Sequence, residues 1–92
     1  MEIIWTDTAL ETFLKVIDYL SNDWTLREVE EFELKVDQII ERIISFKQMC
    51  PESKLFGYKK CVIDKNNSIV YHIVNNKLLI ITFIDNRSEH SF

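Results

Sequence analysis

The residues able to carry chemistry crowd the second half of the chain. Lys59, Lys60, Lys65 and Arg87 offer cations, and Tyr71 and His90 offer groups that move protons. Lysine and arginine recognise phosphate or carboxylate, and Arg87 can hold such a group through two parallel donors. A histidine titrates near neutral pH in its ordinary state, so His90 exchanges protons more readily than Tyr71. Each residue also has a plainer reading. Tyr71 alternates with Ile69 and Ile73, which suits a core aromatic with a locally satisfied hydroxyl. Arg87 stands two residues from Asp85 and can pair with it or with a helix carboxylate. His90 lies near the end of the sequence, where side chains fray. His72 falls on the face opposite Tyr71 and reads as structural or surface.

Composition bounds what those residues can belong to. A length of 92 residues suits one domain spanning 1–92, with one core that buries roughly 60–68% of the unfolded surface. A hydrophobic content of 47% and an aromatic content of 12% argue against disorder. One glycine and one proline exclude collagen-like, linker-rich and turn-dense all-β chains. The longest nearly apolar run, residues 78–84, is too short to span a bilayer as a helix, so no membrane association is expected. The start of the sequence has no basic segment followed by an apolar stretch, so no signal peptide is expected. Cys50 and Cys61 are too few for a disulfide scaffold, and their spacing fits no zinc pattern. They are expected as reduced thiols of a cytoplasmic protein, small and buried or half-buried. No cofactor or metal is expected.

The net charge of -4 is unevenly spread. Residues 1–53 hold five basic and 12 acidic side chains; residues 54–92 hold six basic and three acidic ones. An acidic whole argues against general nucleic-acid binding, whose affinity comes mainly from neutralising phosphates. The basic second half still permits a local site for an anionic partner.

The elements that must position these side chains follow from periodicity. Residues 2–5 read as a short strand. Thr6 or Thr8 then caps a helix, Thr8 through a capping box with Glu11, Thr6 by placing Trp5 against Leu10. Leu10, Phe13, Leu14, Ile17 and Leu20 form its apolar stripe. After Ser21-Asn22-Asp23, Thr25 and Glu28 form a capping box, with Trp24 and Val29 at staple positions. Leu26, Val29, Phe32, Val36, Ile39, Ile40, Ile43 and Ile44 follow at helical spacing, with charges opposite and a Glu31–Lys35 pair. This helix should end near Lys47, before Pro51. The short link predicts an antiparallel helical hairpin. Three strand runs then cover 55–63, 68–74 and 77–84, separated by Asn66-Asn67 and Asn75-Asn76, which suit tight turns. The third run is apolar on both faces and reads as an interior strand. The fold class is therefore α+β: an N-terminal strand and a helical hairpin packed on an antiparallel sheet, in the order β-α-α-β-β-β.

This order of elements resembles the RelE/ParE superfamily, the toxins of bacterial type II toxin–antitoxin pairs. The early Ala9-Leu10, Phe13-Leu14 and Ile17-Tyr19-Leu20 match, and the most specific stretch runs from Lys65-Asn66-Asn67-Ser68-Ile69-Val70-Tyr71 to Leu79-Ile80-Ile81-Thr82-Phe83-Ile84-Asp85-Asn86-Arg87. A tyrosine-bearing strand before an apolar strand ending in Asp-x-Arg is similar to the ParE-like branch. The usual Gln-x-Pro after the final arginine is replaced by Ser88-Glu89-His90, and lysines 59 and 60 stand where many members carry arginine.

The resemblance implies a growth-inhibiting toxin of a plasmid-stabilisation type, neutralised by a cognate antitoxin and assembling as a homodimer or as a heterotetramer with it. ParE-like members are described as poisoning DNA gyrase, and RelE-like members cut mRNA on the ribosome. Metal-independent RNA cleavage would need a base, an acid and a cation. Arg87, Tyr71 and His90 would be catalytic in that case, and Lys59, Lys60, Lys65 and Arg87 would bind a phosphate or the target. The acidic balance favours the ParE-like reading, because docking on ribosomal RNA gains from many basic residues. An orphan binding module of the same fold is the third reading. The third run's second apolar face then awaits a partner polypeptide.

Overall fold

A computed structural model describes residues 1–47, 49–55 and 57–88. The chain runs β1 (Glu2–Trp5), α1 (Asp7–Asp23), α2 (Leu26–Ser45), β2 (Lys59–Val62), β3 (Asn67–Val74) and β4 (Lys77–Asp85). The four strands form one sheet in the order β1-β4-β3-β2. β2, β3 and β4 make the expected antiparallel meander. β1 joins it beside β4 in parallel, with Ile3 opposite Leu78, so the sheet is mixed and not wholly antiparallel. β4 is thus interior, flanked by β1 and β3, as its two apolar faces require.

β1 reaches along β4 only as far as Ile80. Beyond that point the backbone of β4 still needs partners, and α1 supplies them through two hydroxyls. Thr6 Oγ1 donates to the Ile81 carbonyl at 2.7 Å, and the Phe83 N–H donates to Thr12 Oγ1 at 2.9 Å. The same Thr6 oxygen accepts from the Ala9 N–H at 3.0 Å, which makes Thr6, not Thr8, the helix cap. β4 also carries one extra residue: Val70 faces Thr82 and Tyr71 faces Ile80, leaving Ile81 unmatched. Such a bulge bends a strand locally.

Anchoring α1 through Thr6 and Thr12 sets which face it buries. Ala9 is fully buried, and Phe13, Val16, Ile17 and Leu20 pack on the core. Leu10 and Leu14, expected in the apolar stripe, stand 51% and 52% exposed. Trp5 packs edge-on against Phe13 and stacks on Phe83. In α2 the capping box forms as expected: the Thr25 N–H and hydroxyl both donate to the Glu28 carboxylate. Val29, Phe32, Val36, Ile40 and Ile43 are buried, whereas Leu26 is exposed at the helix start. Glu31 accepts from Arg27 Nε at 3.1 Å and so pairs backwards along the helix, not with Lys35. The pair is exposed and adds little stability.

The two asparagine pairs turn the chain differently. Asn75 and Asn76 both have positive φ, 52° and 58°, which fits a two-residue type I′ hairpin. At the other turn Asp64 does the work: its Oδ1 accepts from the Asn66 and Asn67 N–H groups at 2.8 and 2.9 Å. This is an Asx turn, and it needs no left-handed residue.

The cysteines correct one expectation. They are joined to each other, with Cα atoms 5.4 Å apart, an ordinary disulfide span. The reason is local. The Lys60 N–H donates to the Pro51 carbonyl at 3.0 Å, so the segment before β2 runs back along it and sets Cys50 across from Cys61. The expected burial is found: Cys61 is 2% exposed and Cys50 is half-buried.

Candidate functional site

The meander distributes the candidate side chains to separate places. Lys59 faces Tyr71 across the β2–β3 pair, near the start of β2. Lys60 faces Val70 on the other side of the sheet. Lys65 lies in the β2–β3 turn, and that turn touches the segment after β4: the Asn86 N–H donates to the Asn66 carbonyl at 2.8 Å. Lys65 and Arg87 therefore share one end of the sheet, and Lys59 stands toward the other. His90 lies outside the described residues.

Tyr71 is fully buried, and its hydroxyl donates to the Lys47 carbonyl at 2.9 Å. Burial pushes its pKa above the ordinary tyrosine value, away from the physiological range. That is the plainer of its two readings, a core aromatic with a satisfied hydroxyl. Tyr71→Phe is expected to lower stability by about 1 kcal/mol, the net contribution of one such hydrogen bond. Urea denaturation checks it: an unchanged midpoint would mean the bond carries no weight.

Arg87 is exposed and forks onto Asp85, with Nε to Oδ1 at 3.0 Å and Nη2 to Oδ2 at 2.9 Å. The Arg87 hydrogen bonds hold the Asp85 carboxyl below the ordinary carboxylate range, and Asp85 in turn raises Arg87. Lys59 lies 3.9 Å from Glu52. Both cations thus sit beside carboxylates. Among the described residues, no three His, Cys, Asp or Glu side chains gather to hold a metal ion, and no helix is long and apolar enough to cross a membrane.

A groove of about 490 Å³ opens where α1, α2 and the far end of the sheet meet. Val16, Leu20, Phe32, Phe83 and Ile84 line its apolar floor. Tyr19 and Trp24 stand over it; Trp24 is 56% exposed at the turn between the helices. Lys15, Lys35 and Arg87 together with Glu28, Glu31, Asp64 and Asp85 give its lining charges of both signs. The sequence puts Trp24 at a staple position and the α2 charges opposite the apolar stripe. The signal for the groove is the clustering of Tyr19, Trp24 and Phe83, which only the tertiary arrangement brings together. An apolar floor with a rim of both signs fits an amphipathic polypeptide better than a nucleic acid.

Comparison with known proteins agrees with the order of elements and the fold. No curated protein sequence matches the chain. Among solved structures, a YoeB/ParE toxin from Agrobacterium tumefaciens superposes with a TM-score of 0.70 at 14% identity, covering 94% of this chain and 99% of that one. A chain of the chromosomal ParDE TA system from P. aeruginosa gives 0.67 at 16% identity, covering 92% and 95%. A chain of the heterotetrameric YoeB–YefM toxin–antitoxin complex from Staphylococcus aureus gives 0.61 at 18% identity, covering 89% and 92%. These likenesses establish the fold. The family model for the ParE toxin of the type II toxin–antitoxin system parDE matches residues 3–90, nearly the whole sequence, and the chain belongs to that toxin family.

Proposed function

We propose that this toxin acts by binding a protein target, and that a cognate antitoxin holds it inactive by laying an amphipathic segment in the groove between the helices and the sheet end. The observation that carries the reading is the groove itself: apolar at the floor, with Trp24 and Tyr19 exposed above it and charges of both signs around it. Leaving such a surface in water is unfavourable, and a segment that folds on binding would cover it. The neighbour solved as a heterotetrameric toxin–antitoxin complex supports an antitoxin partner and a dimer or heterotetramer. Part of the sheet's far side adds to the uncovered area, since Val62 and Val74 are exposed.

Binding is favoured over RNA cleavage by the scatter of the candidate groups. A ribonuclease needs base, acid and cation around one phosphate. Here Tyr71 is sealed in the core, Arg87 is held by Asp85, and Lys59 stands toward the other end of the sheet. DNA gyrase is the target proposed for the ParE-like mode.

The test is expression without and with the antitoxin. Growth arrest by the chain alone, relieved by the antitoxin, is expected. Purified chain should inhibit gyrase supercoiling and leave ribosome-bound mRNA intact. Healthy growth at high soluble yield would reject the toxin activity. Ribosome-dependent cleavage of mRNA, lost in Arg87→Ala, would replace the binding mechanism with an enzymatic one.

A further inference from the structure

β2 is four residues long and forms the outer edge of the sheet. Free edges present unpaired backbone groups that invite another strand. In this chain the edge is covered by the segment that precedes it. The Lys60 N–H donates to the Pro51 carbonyl at 3.0 Å, and Glu52 bridges to Lys59 in antiparallel register. The Ser53 N–H donates to the Tyr58 carbonyl at 2.9 Å, closing the return. These ties are few, and they lie at the surface. The covalent fastening is the Cys50–Cys61 bond, which spans 11 residues and joins the half-buried start of the segment to the fully packed side of β2.

We propose that Cys50 and Cys61 form a thiol-reducible latch that holds residues 49–53 along the edge of β2, and that small thiols open it. The two sulfurs differ in access. Cys61 is buried in the core cluster, whereas Cys50 is half-buried between the exposed Met49 and Pro51. An incoming thiolate attacks Sγ of Cys50, forming a mixed disulfide there and expelling the Cys61 thiolate. A second thiolate attacks the reagent sulfur of that mixed disulfide, releasing the oxidised reagent and the Cys50 thiolate. Each cysteine takes up one proton, and two electrons pass from the reagent to the protein. Opening leaves the segment on its surface hydrogen bonds alone. The Lys60 N–H, held by the Pro51 carbonyl without the crosslink, then opens to solvent more often. The core beneath does not depend on the latch: β3 and β4 remain paired over their whole length, and Phe83 N–H stays on Thr12.

The latch is tested on the full chain by thiol alkylation with mass spectrometry and by amide hydrogen exchange, before and after dithiothreitol. Unreduced protein should yield no alkylated cysteine, and reduced protein two. On reduction the Lys60 amide should exchange about tenfold faster or more, because local opening is no longer held by the crosslink, while the Phe83 amide keeps its protection. Reoxidation should restore the slow rate. Cys50→Ser should give the fast Lys60 rate with or without dithiothreitol, and Cys61→Ala, which buries no new hydroxyl, should do the same. Free thiols in the unreduced protein would overturn the latch, and so would an unchanged Lys60 rate. Loss of Phe83 protection on reduction, or failure of both variants to fold, would make the bond a staple of the whole domain and overturn it equally. None of these readouts depends on toxicity or on the target.

Discussion

Replacing Phe83 by alanine should remove about 3–5 kcal/mol of stability, the range for emptying a buried aromatic site. Phe83, on β4, is a point where four elements meet. Its ring lies 5.4 Å from Trp5, 5.4 Å from Phe13 and 6.5 Å from Phe32, and it is 4% exposed. Trp5 comes from β1, Phe13 from α1 and Phe32 from α2, so Phe83 ties β4 to all three of these elements. Domains of this kind are stable by about 5–15 kcal/mol in total, and Phe83→Ala should therefore leave much of the chain unfolded at moderate temperature. Leu10→Ala, on the exposed side of α1, is expected to change stability by less than about 1 kcal/mol. Urea unfolding of the two variants compares them directly. Equal losses would mean that the aromatic cluster is not the centre of the fold.

The largest effect on recognition should come from Trp24→Ala. A large aromatic at the mouth of an apolar groove has the character of an interface hot spot, and truncating one typically costs about 2 kcal/mol or more, roughly 30-fold in Kd. Trp24 contributes little to the fold itself: its indole is largely exposed, and its backbone N–H, bonded to the Leu20 carbonyl at 3.0 Å, survives the substitution. Titration of the variant against the cognate antitoxin should show the weakening without a shift in the unfolding midpoint. Antitoxin affinity within twofold of the parent chain would place the docking surface elsewhere.

Much of the architecture was legible because local signals and tertiary demands agree. The capping box at Thr25 and Glu28 marks the start of α2 within one residue, and the double-faced apolar run of β4 gives away an interior strand. β1 was legible as a strand, but its parallel seat beside β4 was not, since pairing partners 75 residues apart leave no periodic trace. In α1, Phe13, Ile17 and Leu20 pack on the core as their spacing predicts, whereas Leu10 and Leu14 satisfy the same 3.6-residue pattern and yet stand outside. Thr6 and Thr12, bonded to β4, decide between the two faces, and a hydropathy pattern cannot see hydroxyl partners. The disulfide was missed for a related reason: only the return of Pro51 along Lys60 brings the two sulfurs together. At the candidate site, Tyr71 and Arg87 were each read with a structural alternative, and the structure shows that alternative in both cases. The residues of the groove are not legible in the sequence, because its floor comes from α1, α2 and β4 and its rim adds the β2–β3 turn and the segment after β4.

The parallel seat of β1 has a consequence for how the molecule comes into being. The first strand made must wait for the last one, since Thr6 finds its β4 carbonyl 75 positions later. At roughly 5–20 residues per second, that wait is about 4–15 s on a translating ribosome. Until β4 exists, Trp5 has no Phe83 to stack on, the groove has no floor at its sheet end, and α1 lacks the strand it is anchored to through Thr12. Sheet closure, ring cluster and binding surface are therefore born in a single late event, and a nascent chain halted before Lys77 possesses none of them.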